Sequence, residues 1–230
     1  MINQVQGNIF DTDKQVIVNA VNCVGVMGAG IALEYRLRYP EMFEKYQVHC
    51  QKKLLDIGKL WIYKPLHGAW VLNFPTKKHW KYPSKEEYLR KGLEKFCDIY
   101  KAKGIKSIAF PMLGADRGGL GQDKSLEIMA SYLSELDLEV DIYHYDPEGK
   151  DALCEKVKAI LLENSPCDYE HIVKFRFPEI KKIKELLSNE PINQLSQLLK
   201  HKGVGQKSVE KLYLLASFEN LAVAHQDELF

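Results

Sequence analysis

The sequence predicts an α/β fold: a largely parallel or mixed sheet sandwiched by helices, followed by a small all-helical C-terminal region. Three observations carry this. Short β-branched runs alternate with helical stretches through the first two-thirds of the chain. Two glycine-rich loops each follow a strand-like run, so both should open on the carboxyl edge of the sheet, where ligands of such folds sit. Beyond about residue 150 the β-branched runs give way to helical stretches punctuated by proline and glycine.

In chain order, residues 2–6 and 15–20 read as strands separated by the turn-prone Asp11-Thr12-Asp13. The first glycine-rich loop leads to predicted helices over 31–38 and 41–51, broken at Pro40. Residues 60–64 and 69–74 read as strands joined around Leu66-His67-Gly68. Ser84-Lys85-Glu86-Glu87 has the form of a capping box, with the Ser84 hydroxyl taking an orphan amide and Glu87 reaching back. The helix it predicts runs to about Lys103 and stops at Gly104. A strand over 106–110, the second glycine-rich loop, a helix near 123–136 and a strand over 139–145 complete this part. The boundary is placed at Asp146-Pro147-Glu148-Gly149, dividing residues 1–147 from 148–230. The tail predicts helices over 151–163, 177–188, 192–200 and 208–216, separated by Pro166, Pro191 and Gly203/Gly205.

The 230 residues carry 32 Lys+Arg against 31 Asp+Glu, a formal charge of +1. That balance excludes a histone-like binder of nucleic acid, so any basic surface must be local. Residues 1–147 hold 20 basic and 18 acidic side chains, while 170–211 hold nine and five. Five scattered cysteines, Cys23, Cys50, Cys97, Cys154 and Cys167, form no CxxC pair and fit reduced thiols. No apolar run reaches the roughly 18–20 residues of a membrane span. The chain opens on a strand-like segment without a signal-peptide pattern, and the expectation is a soluble cytoplasmic protein. The histidines show no metal-ligand spacing, and no metal or cofactor is expected.

Three segments carry candidate chemistry. In Asn19-Ala20-Val21-Asn22-Cys23-Val24-Gly25-Val26-Met27-Gly28-Ala29-Gly30-Ile31, glycines allow close backbone approach, and the following helix start offers outward amides to an anion. It is neither a dinucleotide fingerprint nor a P-loop. Pro111-Met112-Leu113-Gly114-Ala115-Asp116-Arg117-Gly118-Gly119-Leu120 repeats the design after a later strand, so two loops could clamp a diphosphate between them. Without a carboxylate cluster for Mg²⁺, amides and helix ends must neutralise the charge. The third segment, Asn73-Phe74-Pro75-Thr76-Lys77-Lys78-His79-Trp80-Lys81-Tyr82, mixes lysines with aromatics at a strand end. A partly desolvated lysine is a usable nucleophile or base, and aromatics beside lysines suit exposed bases and phosphates.

Together with Val5-Gln6-Gly7-Asn8-Ile9-Phe10, these segments resemble the macro domain, an ADP-ribose-binding three-layer α/β/α fold with a mixed sheet, over about residues 1–146. Val24-Gly25-Val26-Met27-Gly28 and Asn73-Phe74-Pro75-Thr76-Lys77 look most like its DarG branch. That branch comprises DNA ADP-ribosyl glycohydrolases, antitoxins that remove ADP-ribose placed on thymine by the DarT toxin. The resemblance implies Lys77 as the catalytic lysine, acting with Asn22 at the distal ribose. It implies ADP-ribose contacts from Asn8 and Ile9 at adenine and from Met27, Gly28, Gly30, Ile31 and Thr76. Gly114, Ala115, Asp116, Arg117, Gly118 and Gly119 would complete the diphosphate cradle.

Asn8 stands where many macro domains carry Asp, with its amide oxygen expected to accept from adenine. A related protein glycohydrolase has a catalytic Asp where this chain has Gly118. Lys77 could attack the anomeric carbon or protonate the departing base. Lys78, Trp80, Lys81 and Tyr82 are expected to meet single-stranded DNA, with an ADP-ribosyltransferase toxin as partner and no membrane. Near residues 198–216 the tail resembles a helix-hairpin-helix, in which Gly203-Val204-Gly205, Lys202, Lys207 and Lys211 would meet a DNA phosphate. The competing implication is that the tail restrains a toxin, as in the DarG branch. The alternative functions are removal of ADP-ribose from Glu or Asp of proteins, and non-catalytic reading of ADP-ribose.

Overall fold

The structure, a computed structural model, describes residues 2–146, 149–165 and 173–227, the side chains of 217–227 excepted. The central part of the boundary turn (Pro147 and Glu148), the helix breaker Pro166, Cys167 and His171 lie outside the described residues. The chain divides into two compact units, Met1–Asp146 and Pro147–Phe230.

In the first unit the strands are β1 (Ile2–Gly7), β2 (Val16–Asn22), β3 (Trp61–Tyr63), β4 (Trp70–Lys77), β5 (Ser107–Pro111) and β6 (Glu139–Tyr145). They form one sheet in the order β1-β6-β5-β2-β4-β3. All neighbours pair in parallel except β3, which runs antiparallel to β4 and makes the sheet mixed. The helices are α1 (Gly30–Arg38), α2 (Pro40–Gln51), α3 (Glu86–Ile99) and α4 (Gln122–Leu133). Pro40 occupies the first position of α2, where its missing N–H costs nothing.

The alternation of β2 divides the core into two layers. Val16 and Val18 face a cluster with Leu89, Leu93 and Phe96 of α3 and with Ile128, Met129 and Leu133 of α4. Ile17 and Val21 face Tyr35 of α1 and Met42 and Tyr46 of α2. Helices therefore cover both faces, the three-layer sandwich expected from βα alternation.

Two departures from the sequence expectation bear on the site. First, β4 runs on past Phe74 to Lys77. Pro75 is tolerated there because β3 stops pairing at Asn73, which leaves the outer side of β4 an edge. The β2–β4 register slips so that Val21 pairs with Pro75 but Asn22 with Lys77, and Thr76 is the extra residue of a bulge. The slip re-aims Lys77. Second, Ser84 does not cap α3. Lys85 is the N-cap, without a side-chain bond, and the Ser84 amide donates to the Gly118 carbonyl at 2.9 Å. Tertiary pairing with the second glycine loop has overridden the local capping signal.

Gly92 of α3 sits on the ring of Phe74, and a Cβ there would lie 2.2 Å from Phe74 Cζ. Gly92→Ala is therefore expected to destabilise the unit by about 1–3 kcal/mol through overpacking, despite alanine's better helix propensity. Urea unfolding followed by circular dichroism would measure it; a stabilised variant would mean that Phe74 can move aside.

In the second unit, α5 (Ala152–Glu163) is capped by Asp151, whose carboxylate accepts from the Leu153 amide at 2.9 Å. It is followed by α6 (Phe177–Asn189), a 3₁₀ segment (Leu195–Lys200) and α7 (Gln206–Asp227). The helix expected over 192–200 is this 3₁₀ segment. Gln197 Oε1 takes the amides of Asn193 and Gln194 at 2.9 and 3.3 Å, and the run ends at His201, too short for α-helix to prevail. Buried residues of this unit include Val157 and Leu161 of α5, Ile183 of α6, Leu195 and Leu198 of the 3₁₀ segment, and Val209 and Leu212 of α7. No helix among the described residues is long and apolar enough to cross a membrane.

Candidate functional site

The carboxyl ends of β2, β4 and β5 bring the three segments together. β2 ends at Asn22, whose Oδ1 accepts the amides of Val24 (3.0 Å) and Val26 (3.4 Å) and the Tyr46 hydroxyl (3.2 Å). Its Nδ2 donates to the Val26 carbonyl at 2.6 Å, and Tyr46 also donates to the Asn22 carbonyl at 2.7 Å. This buried amide thus folds the loop back on itself. Gly28, Ala29 and Gly30 remain exposed, and α1 starts from Ala29 with no side-chain cap. The amides of Gly30, Ile31 and Ala32 are therefore orphan donors of a helix start, suited to an anion.

β5 leads into the second loop. The Gly119 amide closes a turn on the Ala115 carbonyl at 3.1 Å, and the Leu120 amide returns to Gly114 at 3.0 Å. Among the described residues, the amides of Asp116, Arg117 and Gly118 find no protein acceptor. A Cβ on Gly118 would lie 2.1 Å from the Gly114 carbonyl oxygen, so only glycine fits this turn. That is the physical reason no Asp stands here. Gly30 has φ +56°, and a Cβ on it would come within 3.6 Å of Arg117 Cγ, so the two loops flank one another.

Lys77 joins them. Its ammonium donates to the Arg117 carbonyl. Burial first, and then the Arg117 guanidinium, hold its pKa below the ordinary 10.5. Next to it, the Cys23 thiol donates to the Lys77 carbonyl at 3.3 Å and the Cys23 amide to the Lys78 carbonyl at 3.3 Å. Burial, with Asp56 nearby, pushes the Cys23 thiol up to about 12, so it is a packing group and a poor nucleophile. Lys78, Trp80, Lys81 and Tyr82 all project from the following turn into solvent.

Not every residue named from the resemblance presents its side chain. Met27 is 1% exposed in the α1–α2 core layer and Ile9 is 5% exposed in the same cluster. Thr76 is buried, with its hydroxyl donating to the Val21 carbonyl at 3.4 Å. These three have only backbone to offer a ligand. Asn8 caps a short 3₁₀ turn (Ile9–Asp11), its Oδ1 accepting the Phe10 amide at 3.2 Å. Its Nδ2 is buried without a partner among the described residues. Its Oδ1 keeps a second lone pair beside the Phe10 bond, the acceptor that the resemblance assigns to adenine.

Sequence reasoning missed Tyr46, which anchors Asn22 from α2, and the role of the Arg117 carbonyl. A lone Tyr in a helix and a main-chain oxygen leave no sequence signal. In the tail, Gly203 (φ +94°) turns the chain into α7, and Lys202 and Lys207 are exposed beside it. Lys211 instead donates to the Lys174 carbonyl at 2.8 Å. No group of three or more potential metal ligands occurs among the described residues.

A mixed sheet between two helical layers, with two amide-rich glycine loops meeting at its carboxyl edge, defines a domain for phosphate-bearing ligands. The Macro domain family model matches residues 18–129. The solved macrodomain of Mycobacterium tuberculosis DarG is 40% identical, with a TM-score of 0.60, and the match covers 62% of this chain and 97% of that one. The chain belongs to the macro domain family. It is 38% identical over 166 residues to the DNA ADP-ribosyl glycohydrolase of M. tuberculosis, covering 70% of this chain and 46% of the relative. Thermosipho africanus DarTG, solved in complex with ADP-ribose, is 35% identical with a TM-score of 0.61, covering 65% and 43%. This chain thus spans less than half the length of these two relatives.

Proposed function

We propose that the chain is an ADP-ribosyl glycohydrolase that removes ADP-ribose from a nucleobase, thymine in single-stranded DNA, and counters a DNA ADP-ribosyltransferase toxin. The observation that carries this is Lys77, placed between two amide-rich loops with its pKa lowered. The relatives named DNA ADP-ribosyl glycohydrolase support a DNA substrate.

The diphosphate lies along Gly28, Gly30 and Ile31 and along the 114–119 loop, where the amides of Asp116, Arg117 and Gly118 are free to meet it. Asn8 Oδ1 accepts from the adenine amino group through its second lone pair. The distal ribose then reaches Lys77. As a neutral amine, Lys77 can donate one hydrogen to the Arg117 carbonyl while its lone pair faces the anomeric carbon. The new C–N bond forms as the bond to the base breaks. The base leaves with the electron pair and gains a proton, and Nζ sheds one. Water then displaces the lysine from the same carbon, one of its hydrogens passing to Nζ as the C–N bond breaks, giving free ADP-ribose and the neutral amine. Asn22 holds the loop beside this carbon, its remaining amide hydrogen serving the ribose. Lys78, Trp80, Lys81 and Tyr82 meet the strand; in the second unit, taken by itself, Lys202 and Lys207 are candidate phosphate contacts.

Chromatography of products from a thymine-ADP-ribosylated oligonucleotide tests the proposal, with release of ADP-ribose and intact DNA expected. Release only from modified Glu or Asp of proteins would support the alternative substrate. Tight ADP-ribose binding with no release from any conjugate would make the domain a reader.

A further inference from the structure

The turn after Lys77 exposes two aromatic rings and packs both against one side chain, which the hydrolytic step does not require. Trp80 and Tyr82 are 50% and 67% exposed. Two such rings, both in contact with one histidine, offer flat faces for stacking. Between them stands His79. Its ring stacks on Trp80, with centroids 5.5 Å apart and 28° between the planes, and meets Tyr82 at 5.6 Å and 53°. Its Nδ1 accepts the Lys81 amide at 3.2 Å, and its carbonyl accepts the Tyr82 amide at 3.2 Å. Side chain and main chain of one residue therefore close the turn and space both rings.

The charge around the rings is positive. Lys81 Nζ lies 5.3 Å from the Trp80 ring centroid, and Lys78 is exposed one residue before His79. Flat π faces beside ammonium groups suit a ligand that is planar and anionic together. Unpaired nucleobases on a phosphate backbone have both properties. A duplex hides its base faces, and an acidic peptide would match the lysines but leave the rings bare. Rings ordered before the ligand arrives also spare it the entropy of ordering them.

We propose that His79 is the positioning residue of a preassembled aromatic platform, on which a base neighbouring the modified one in single-stranded nucleic acid stacks through Trp80 and Tyr82. This rests on the nucleic-acid reading above and adds what engages the flanking sequence.

The test uses the full chain, with fluorescence anisotropy on an unmodified single-stranded oligonucleotide. Kinetics follow on the modified oligonucleotide and on the ADP-ribosylated nucleoside alone. His79→Ala is expected to weaken oligonucleotide binding and raise KM by about fivefold to tenfold, the order of one lost stack, with kcat unchanged. Cleavage of the isolated nucleoside should be unaffected. His79→Asn, whose Oδ1 replaces Nδ1 as acceptor, should recover much of the loss, and His79→Phe, which has a ring but no acceptor, should not.

Wild-type binding by His79→Ala would overturn the proposal, and so would equal binding to duplex and single strand. A matching loss on the isolated nucleoside would do the same, because the effect would then run through Lys77. If the wild type acts only on modified proteins, the glycohydrolase reading for DNA falls, but anisotropy still decides the platform. His79-dependent binding of the unmodified strand upholds it, and absence of binding ends it.

Discussion

Lys77→Ala is expected to lower ADP-ribose release by about 10²–10⁴-fold, the range for loss of a group that acts at the reacting atoms. Affinity for free ADP-ribose should change little, because the proposed site holds the diphosphate through the amides of the two loops and not through Lys77. Thermal stability should also be near that of the wild type, since Lys77 is only half-buried and contributes one hydrogen bond at the surface. Calorimetric titration with ADP-ribose and a melting curve separate these quantities from turnover. Undiminished turnover by a folded variant would remove Lys77 from the mechanism.

The pH profile carries the sign. Burial and the Arg117 guanidinium disfavour the ammonium, so the neutral amine is populated at lower pH than for a free lysine. If the amine attacks, kcat rises with pH through a midpoint below 10.5. A limb that falls with pH through that midpoint would instead make the ammonium an acid toward the departing base.

Gly118→Ala should cost ADP-ribose affinity by about tenfold or more, the equivalent of an overpacking strain of roughly 1–3 kcal/mol released by opening the loop. The atoms in the way are main chain: Gly114 O at 2.1 Å and its C and Cα at 2.5 Å from a Cβ at 118. A flexible side chain could swing aside, but this turn cannot. Opening it displaces the free amides of 116–118 and the Gly118 carbonyl that receives Ser84. It also moves the Arg117 carbonyl that holds Lys77, so turnover should fall with affinity. Unchanged ADP-ribose binding by calorimetry would mean that this loop is not the anion site.

The layered fold was legible because its signal is local. Alternating β-branched runs and helical spacing are one-dimensional patterns, and the strand over 139–145 and the helix starting at Phe177 stand where those patterns put them. The end of β4 was not legible. Pro75 reads as a strand terminator unless it is known that β3 leaves that edge unpaired beyond Asn73. Ser84 shows the same limit, since its capping motif is intact in sequence and a carbonyl 34 residues later takes its amide.

For the site, the sequence by itself determined which backbone could approach an anion, because glycine content sets that freedom residue by residue. It also determined that a lysine followed by aromatics stands at a strand end. Only the tertiary structure decided which of these groups are free to act. It turned Met27 and Thr76 inward, locked Asn22 against Tyr46, tied Asn8 to the Phe10 amide, and set Lys77 against a carbonyl 40 residues away. The physical reason is that a side chain's partners are chosen by packing across the sheet edge, where neighbours in space are remote in sequence.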